Sequence, residues 1–128
     1  MDPQVGGITL GVKDVTRAKQ FYGTLGWPIQ QEQGDWVSFG LNDSSLSVGL
    51  YPWGAVADDA GVAADGSGFR GFMLSHIVES AKQVDAVLAE AERAGGAIVK
   101  PAQQAQWGGY FGFFADPDGY LWKIAASA

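Results

Sequence analysis

Hydrophobic and polar positions alternate from Gly7 to Val12, with Ile8, Leu10 and Val12 apolar and Gly7, Thr9 and Gly11 small. A period of two predicts a strand with one buried face, and the small residues leave room on the other. The period then changes. Ala18, Phe21, Tyr22 and Leu25 fall at helical spacing, with Asp14 placed as an N-cap, Gly26 as the C-terminal cap and Pro28 unable to continue the helix. Pro28 to Gln33 reads as a polar edge strand. Alternation returns in WVSFGLNDSSLSVGLY (Trp36–Tyr51), a hairpin. Its Val37, Phe39, Leu41, Leu46, Val48 and Leu50 face the helix, and Trp36, Ser38, Gly40, Ser47, Gly49 and Tyr51 face the other way.

The second half repeats the order. Gly71 to Val78 is an apolar strand. Ser80 and Gln83 have the spacing of a capping box, and the helix they open buries Val84, Val87, Leu88 and Ala91 before Gly95-Gly96 ends it. Ala97 to Lys100 is a short strand stopped by Pro101, and Ala102 to Gly109 a loop bearing Trp107. The last segment, YFGFFADPDGYLWKIA (Tyr110–Ala125), is a second hairpin turned by Asp116-Pro117-Asp118-Gly119. Pro117 presets φ and Gly119 supplies a positive φ. It lies over the first hairpin without a gap, 74 residues on. Pairing across the tight turn puts Phe111, Phe113 and Ala115 with Tyr120, Trp122 and Ile124 toward the helix. Tyr110, Gly112 and Phe114 then share the opposite face with Leu121, Lys123 and Ala125. Strand–helix–strand–hairpin thus occurs twice, an internal duplication. Module one covers about 1–54, a Gly/Ala/Asp-rich linker about 55–69, and module two about 70–128. Ala55 to Ala60 is a candidate short helix in the linker, and Trp53 at its start covers an edge or binds a ligand.

Composition narrows the function classes. At 128 residues the chain is one domain's worth, able to bury roughly two-thirds of its unfolded surface. It has no cysteine, hence no disulfide or thiol chemistry. A net charge of −6 opposes nucleic acid and anionic membranes as partners. The beginning, MDPQVGG, lacks the basic and apolar regions of a signal peptide, and no apolar run reaches membrane-spanning length. A soluble cytoplasmic protein is expected.

VKDVTRAKQFYGTLGW (Val12–Trp27) and FFADPDGYLWKIA (Phe113–Ala125), set in the duplicated layout, resemble the vicinal oxygen chelate superfamily. That group includes glyoxalase I, extradiol dioxygenases, and fosfomycin- and bleomycin-resistance proteins. The resemblance implies an α+β fold in which two βαβββ modules curl into a mixed-sheet cup with helices outside. Metal-dependent members place His, Gln or Glu at four points of the cup. Here the first point is Gly7, the second falls near Gly49, the third at Gly71 or Met73, and the fourth at Lys123. Glycine offers no donor and a lysine ammonium repels a cation, so no metal and no cofactor is expected. His76, the only histidine, falls on the helix side of its strand. Asp14, Asp43, Asp116 and Asp118 read as cap and turn residues, and Asp58, Asp59 and Asp65 as solvated.

Aromatic surface is what the cup retains. The candidate ligand-binding residues are Trp36, Ser38, Tyr51, Trp53, Trp107, Tyr110, Phe114 and Lys123. Rings with a few polar groups suit a small aromatic or amphipathic compound. The expected function is metal-free small-molecule binding, like the bleomycin-resistance branch, with a homodimer implied by the resemblance alone. The alternative is a lyase, isomerase or dioxygenase, metal-dependent or using Lys123 or Tyr110; a protein partner held through the cup is a third reading.

Overall fold

The computed structural model describes residues 1–42, 45–66 and 68–127. Asp43, expected in the first hairpin's turn, lies outside the described residues. The chain divides into two compact units, Met1–Gly66 and Ser67–Ala128. Each is a βαβββ module, and the fold is α+β.

In the first unit, β1 (Gly7–Val12), α1 (Val15–Thr24), β2 (Ile29–Gln33), β3 (Trp36–Gly40) and β4 (Ser47–Pro52) are followed by a short helix, α2 (Trp53–Ala60). The sheet order is β1-β4-β3-β2, with β1 parallel to β4 and the other pairs antiparallel. Asp14 caps α1 by accepting the Arg17 N–H at 3.1 Å. The far end closes with two reversed bonds: Gly26 N–H donates to the Gly23 carbonyl and Trp27 N–H to that of Tyr22. This is a Schellman motif, and Gly26 sits at its left-handed position with φ 93°. The ring of Trp27 lies 5.0 Å from that of Tyr22, the apolar contact such a motif carries. Leu10, Val12, Val37, Phe39, Val48 and Leu50 are buried against Ala18, Phe21 and Tyr22 of α1. Each large side chain so buried stabilises by roughly 1.5–3 kcal/mol. The register pairs Val37 with Leu50 and Phe39 with Val48, the facing expected for this hairpin.

The second unit holds β5 (Leu74–Val78), α3 (Ala81–Arg93), β6 (Ala97–Gln104), β7 (Tyr110–Ala115) and β8 (Leu121–Ala126), in order β5-β8-β7-β6. Ser80 accepts the Gln83 N–H at 3.2 Å, and the Gln83 side chain in turn accepts from the Glu79 N–H. Gly95, at φ 112°, and Gly96 end α3 with the same pair of bonds that ends α1. Two expectations on boundaries need correction. β5 begins at Leu74 rather than Gly71, because Gly71 at φ 83° leaves the extended region. β6 does not stop at Pro101 but runs on to Gln104, the proline being absorbed by register shifts on an edge strand.

The larger correction concerns β7. Phe114 pairs with Trp122, Gly112 with Ile124 and Tyr110 with Ala126. Even positions therefore pair with even ones, and Tyr110, Gly112 and Phe114 face α3 rather than the open side. Phe114 is 2% exposed and stacked on Trp122. The reason is loop length. Ala115 pairs with Leu121 across Asp116–Tyr120, and a loop of odd length preserves parity. The first hairpin pairs Gly40 with Ser47, across an even number. The expected facing assumed a turn with an even number of residues. Phe111 and Phe113, expected on the helix side, consequently occupy the open face with Lys123.

Among the described residues no helix is long and apolar enough to cross a membrane.

Gly112 lets α3 approach β7. A Cβ there would lie 2.6 Å from Leu88 Cδ1 and 3.0 Å from the Lys100 carbonyl oxygen. Gly112→Ala is expected to destabilise by about 1–3 kcal/mol. Gly23, on an exposed turn of α1 with nothing within 4 Å, gives the opposite sign. Gly23→Ala is expected to stabilise by roughly 0.5–1 kcal/mol through helix propensity. Chemical denaturation of both variants checks the pair.

Candidate functional site

In the first unit the open face of the sheet carries Gly7, Thr9 and Gly11 of β1 beside Ser47, Gly49 and Tyr51 of β4. Two glycines shape it. A Cβ on Gly11 would meet the backbone of Trp53 at 3.4 Å and Val56 at 3.6 Å, so α2 lies directly across this end of β1. A Cβ on Gly49 would lie 2.1 Å from the Trp36 ring, so that indole occupies the space a side chain there would fill. Trp36 meets Tyr51 edge-on, with centroids 6.0 Å apart. Between α2 and these rings is a pocket of about 850 Å³. Thr9, Trp36 and Tyr51 form its floor, and Ala55, Val56, Asp58, Asp59 and Ala60 its wall. Small-molecule sites span roughly 300–1,000 Å³. Asp58 and Asp59, expected to be merely solvated, are exposed but form part of this wall.

Ser38 shares the open face in register with Gly49 and is 2% exposed, outside the pocket wall. Trp53 is also outside it. Its Nε1–H donates to the Ala64 carbonyl at 2.9 Å, its ring packs by Gly11 and Gly66, and Lys13 Nζ sits 4.5 Å from the ring centroid. It fastens α2 and the segment after it to β1.

In the second unit the open face gathers different groups. Trp107 lies over Gly109, where a Cβ would be 1.8 Å from its ring, and is 6.3 Å from Phe111. Phe111 meets Phe113 edge-on. Lys123 Nζ stands 5.2 Å from the Phe111 centroid and 5.7 Å from that of Trp107, and Lys100 Nζ stands 5.0 Å from Phe111. Lys123 is thus on the open face, with Phe111, Phe113 and Lys100 in place of Tyr110 and Phe114, and Trp107, expected at the rim, lies beside Phe111. Counting five residues from Asp116 to Tyr120 is the signal that would have found the two phenylalanines. Tyr110 instead reaches toward α3, where its hydroxyl donates to Asp85 Oδ1 at 2.8 Å.

Residues 4–124 match the family described as the Glyoxalase/Bleomycin resistance protein/Dioxygenase superfamily. The chain belongs to this superfamily. A glyoxalase-related enzyme from Fulvimarina pelagi is 30% identical, with a TM-score of 0.87 over 98% of this chain and 88% of that one. A hypothetical protein from S. aureus is 24% identical at TM-score 0.85, covering 98% and 94%. A glyoxalase/bleomycin resistance protein/dioxygenase family enzyme from Burkholderia phytofirmans PsJN is 17% identical at 0.83, covering 96% and 98%. The last two share the fold. No curated protein matches the chain.

Within this superfamily the metal points can now be placed by register. Gly7 pairs with Ser47, and the corresponding position beside β8 is one before Leu74, which fixes the third point at Met73 rather than Gly71. The four are then Gly7, Gly49, Met73 and Lys123, none of which offers an oxygen or imidazole donor. The Trp36 ring covers the second, and an ammonium stands at the fourth. This donor set does not fit a hard divalent cation. His76 is exposed, paired with Ile124 on the helix side of β5. Among the described residues no three of His, Asp and Glu come together to hold an ion.

Asp85 raises the Tyr110 phenol above its ordinary value, first by accepting its hydrogen bond, then through desolvation and charge repulsion of the phenolate. The protonated phenol is the form favoured by folding. Its contribution is complete below the ordinary phenol range and is lost as pH rises through the raised value. Asp85→Asn is expected to move one tyrosine's alkaline titration downward, and ultraviolet difference spectra against Tyr110→Phe identify which one.

Proposed function

We propose that this protein is a metal-independent member of its superfamily that holds a planar or amphipathic small molecule on the open face of its first module. The observation that carries this reading is the pocket of about 850 Å³ floored by Trp36 and Tyr51 and walled by α2. Its chemistry favours a cation. Aromatic faces attract positive charge, and Asp58 and Asp59 put two carboxylates on the same wall. The net charge of −6 draws such a ligand in at long range. Trp36 supplies the stacking surface, Tyr51 an edge, and α2 the cover. A cytoplasmic location and the homodimer implied by the resemblance belong to this reading; molar mass in solution tests the dimer.

Tryptophan quenching by ethidium, a planar cation, is expected to give a Kd well below a millimolar, with neutral phenanthridine weaker. Asp58→Asn with Asp59→Asn should weaken ethidium by roughly tenfold while leaving phenanthridine unchanged. Equal binding of the two, or no binding of either at about a millimolar, overturns the reading.

The name of the Fulvimarina pelagi relative, a glyoxalase-related enzyme, favours a second reading: a lyase, isomerase or dioxygenase. If this protein used metal, its ligands would have to come from outside the four points. Elemental analysis and melting curves with Ni, Zn, Fe and Mn separate the two. Metal independence predicts no stoichiometric metal and an unchanged Tm; one metal per chain gives the catalytic reading the lead. A metal-free reaction using Lys123 is tested by Lys123→Met, and turnover that survives the change excludes it.

A further inference from the structure

The helix α2 closes the pocket of the first module with little to hold it there. Five of its eight residues line that pocket: Ala55, Val56, Asp58, Asp59 and Ala60. Ala57 is its buried residue, whereas α1 buries Ala18, Phe21 and Tyr22. Gly54, Asp58, Asp59 and Ala60 are exposed. A helix of 8 residues is too short to persist by itself in water, so packing must hold it. Pro52 precedes it and offers no capping side chain.

The packing that α2 has converges on Trp53. A Cβ on Gly11 of β1 would lie 3.4 Å from the Trp53 Cα and 3.5 Å from its ring, and Val56 adds a contact at 3.6 Å. The Trp53 Nε1–H reaches 11 residues forward to the Ala64 carbonyl, at 2.9 Å. A Cβ on Gly66 would lie 3.4 Å from the far edge of the same ring. One side chain thus joins β1, the start of α2 and the end of the segment beyond it, and it does so outside the pocket wall. Few buried groups and one tie are the makings of a unit that opens locally.

We propose that α2 and the segment to Ala64 form a cover that opens by local unfolding, and that Trp53 is its latch, a positioning residue that sets how often the pocket is open without touching the ligand. That ligands pass through this opening rests on the binding proposed for the pocket. Entry and exit share one gate. Loosening the latch therefore speeds both and leaves affinity nearly unchanged, because the same bond closes the cover with or without a ligand.

Amide hydrogen exchange of the full chain, followed by NMR, tests the cover with no ligand present. The α2 amides are expected to exchange well ahead of those of β3 and β4. Trp53→Phe keeps a ring and removes the N–H donor. It should speed α2 exchange by about two- to tenfold and leave β3 and β4 unchanged. Gly54→Ala, with nothing within 4 Å of the added Cβ, should slow α2 exchange by about two- to fivefold through helix propensity. Stopped-flow binding of ethidium, read by the dye's own fluorescence, tests the gate. Trp53→Phe should raise the association and dissociation rates together, with Kd within about twofold of the parent, and Gly54→Ala should lower both. Exchange in α2 as slow as in β4, no acceleration in Trp53→Phe, or acceleration spread equally over β3 and β4 overturns the cover. A weaker Kd at an unchanged association rate overturns the gate, since it makes Trp53 part of the wall. Absence of ethidium binding overturns the pocket reading and the gate with it, and exchange alone then decides the cover.

Discussion

The Asp116 carboxylate governs the second module. It is 4% exposed, and its Oδ1 accepts the backbone N–H groups of both Asp118 and Tyr120 at 2.9 Å. The main chain closes the same loop, with the Asp116 N–H donating to the Tyr120 carbonyl and the Gly119 N–H to that of Asp116. Arg70 clamps it from outside, donating to the Asp118 carbonyl while its guanidinium lies 4.5 Å from the Tyr120 ring. A buried carboxylate with two backbone donors fixes how many residues the turn contains. That number fixes the register of β7 against β8, and register decides which side chains are core and which are free to meet a ligand. Phe114 stacks under α3 and Phe111 meets the lysines because this loop has five residues rather than four.

Local chemistry explains which features the sequence disclosed. Caps are written within a few residues, so Asp14, Ser80, Gly26 and Gly95 were readable as helix ends. The first hairpin's facing was also readable, since its apolar residues alternate without exception from Val37 to Leu41 and from Leu46 to Leu50. In the second hairpin alternation fails: Phe111, Phe113 and Phe114 are all aromatic, and a ring fits either face. Parity then depended on the loop, and the loop on a hydrogen-bonded carboxylate that composition does not distinguish from any Asp-Pro turn. Pro101 misled for a related reason. A proline ends a central strand, but β6 is an edge strand and accommodates it in a bulge. The pocket wall was hidden because Asp58 and Asp59 acquire a role only once α2 lies across Gly11, a contact between segments separated in sequence.

Missing side chains shape the candidate sites as much as present ones. Gly11 admits α2, and Gly49 admits the Trp36 ring. A donor side chain at position 49, as a metal-binding relative would carry, could not coexist with that indole in its present place. A side chain at position 49 and an aromatic floor made by Trp36 therefore exclude one another. Gly112, on the opposite side of its sheet, serves packing alone by admitting Leu88.

The duplicated scaffold shows the same choice made differently in its two copies. Corrected for loop length, Trp36 corresponds to Phe111, since Trp36 is two residues before Ser38, the partner of Gly49, and Phe111 is two before Phe113, the partner of Lys123. In each module an aromatic ring on the third strand thus reaches diagonally to one position on the fourth. In the first module that position is empty of side chain and the ring fills its space, with the carboxylates of Asp58 and Asp59 on α2 nearby. In the second it is Lys123, the ring is met by an ammonium, and Lys100 adds another from the edge strand. A single substitution, glycine against lysine at equivalent positions, thus decides whether the ring fills that space or meets a cation. The two modules share one backbone architecture and an aromatic on the third strand, and they differ in what the fourth strand places opposite that ring.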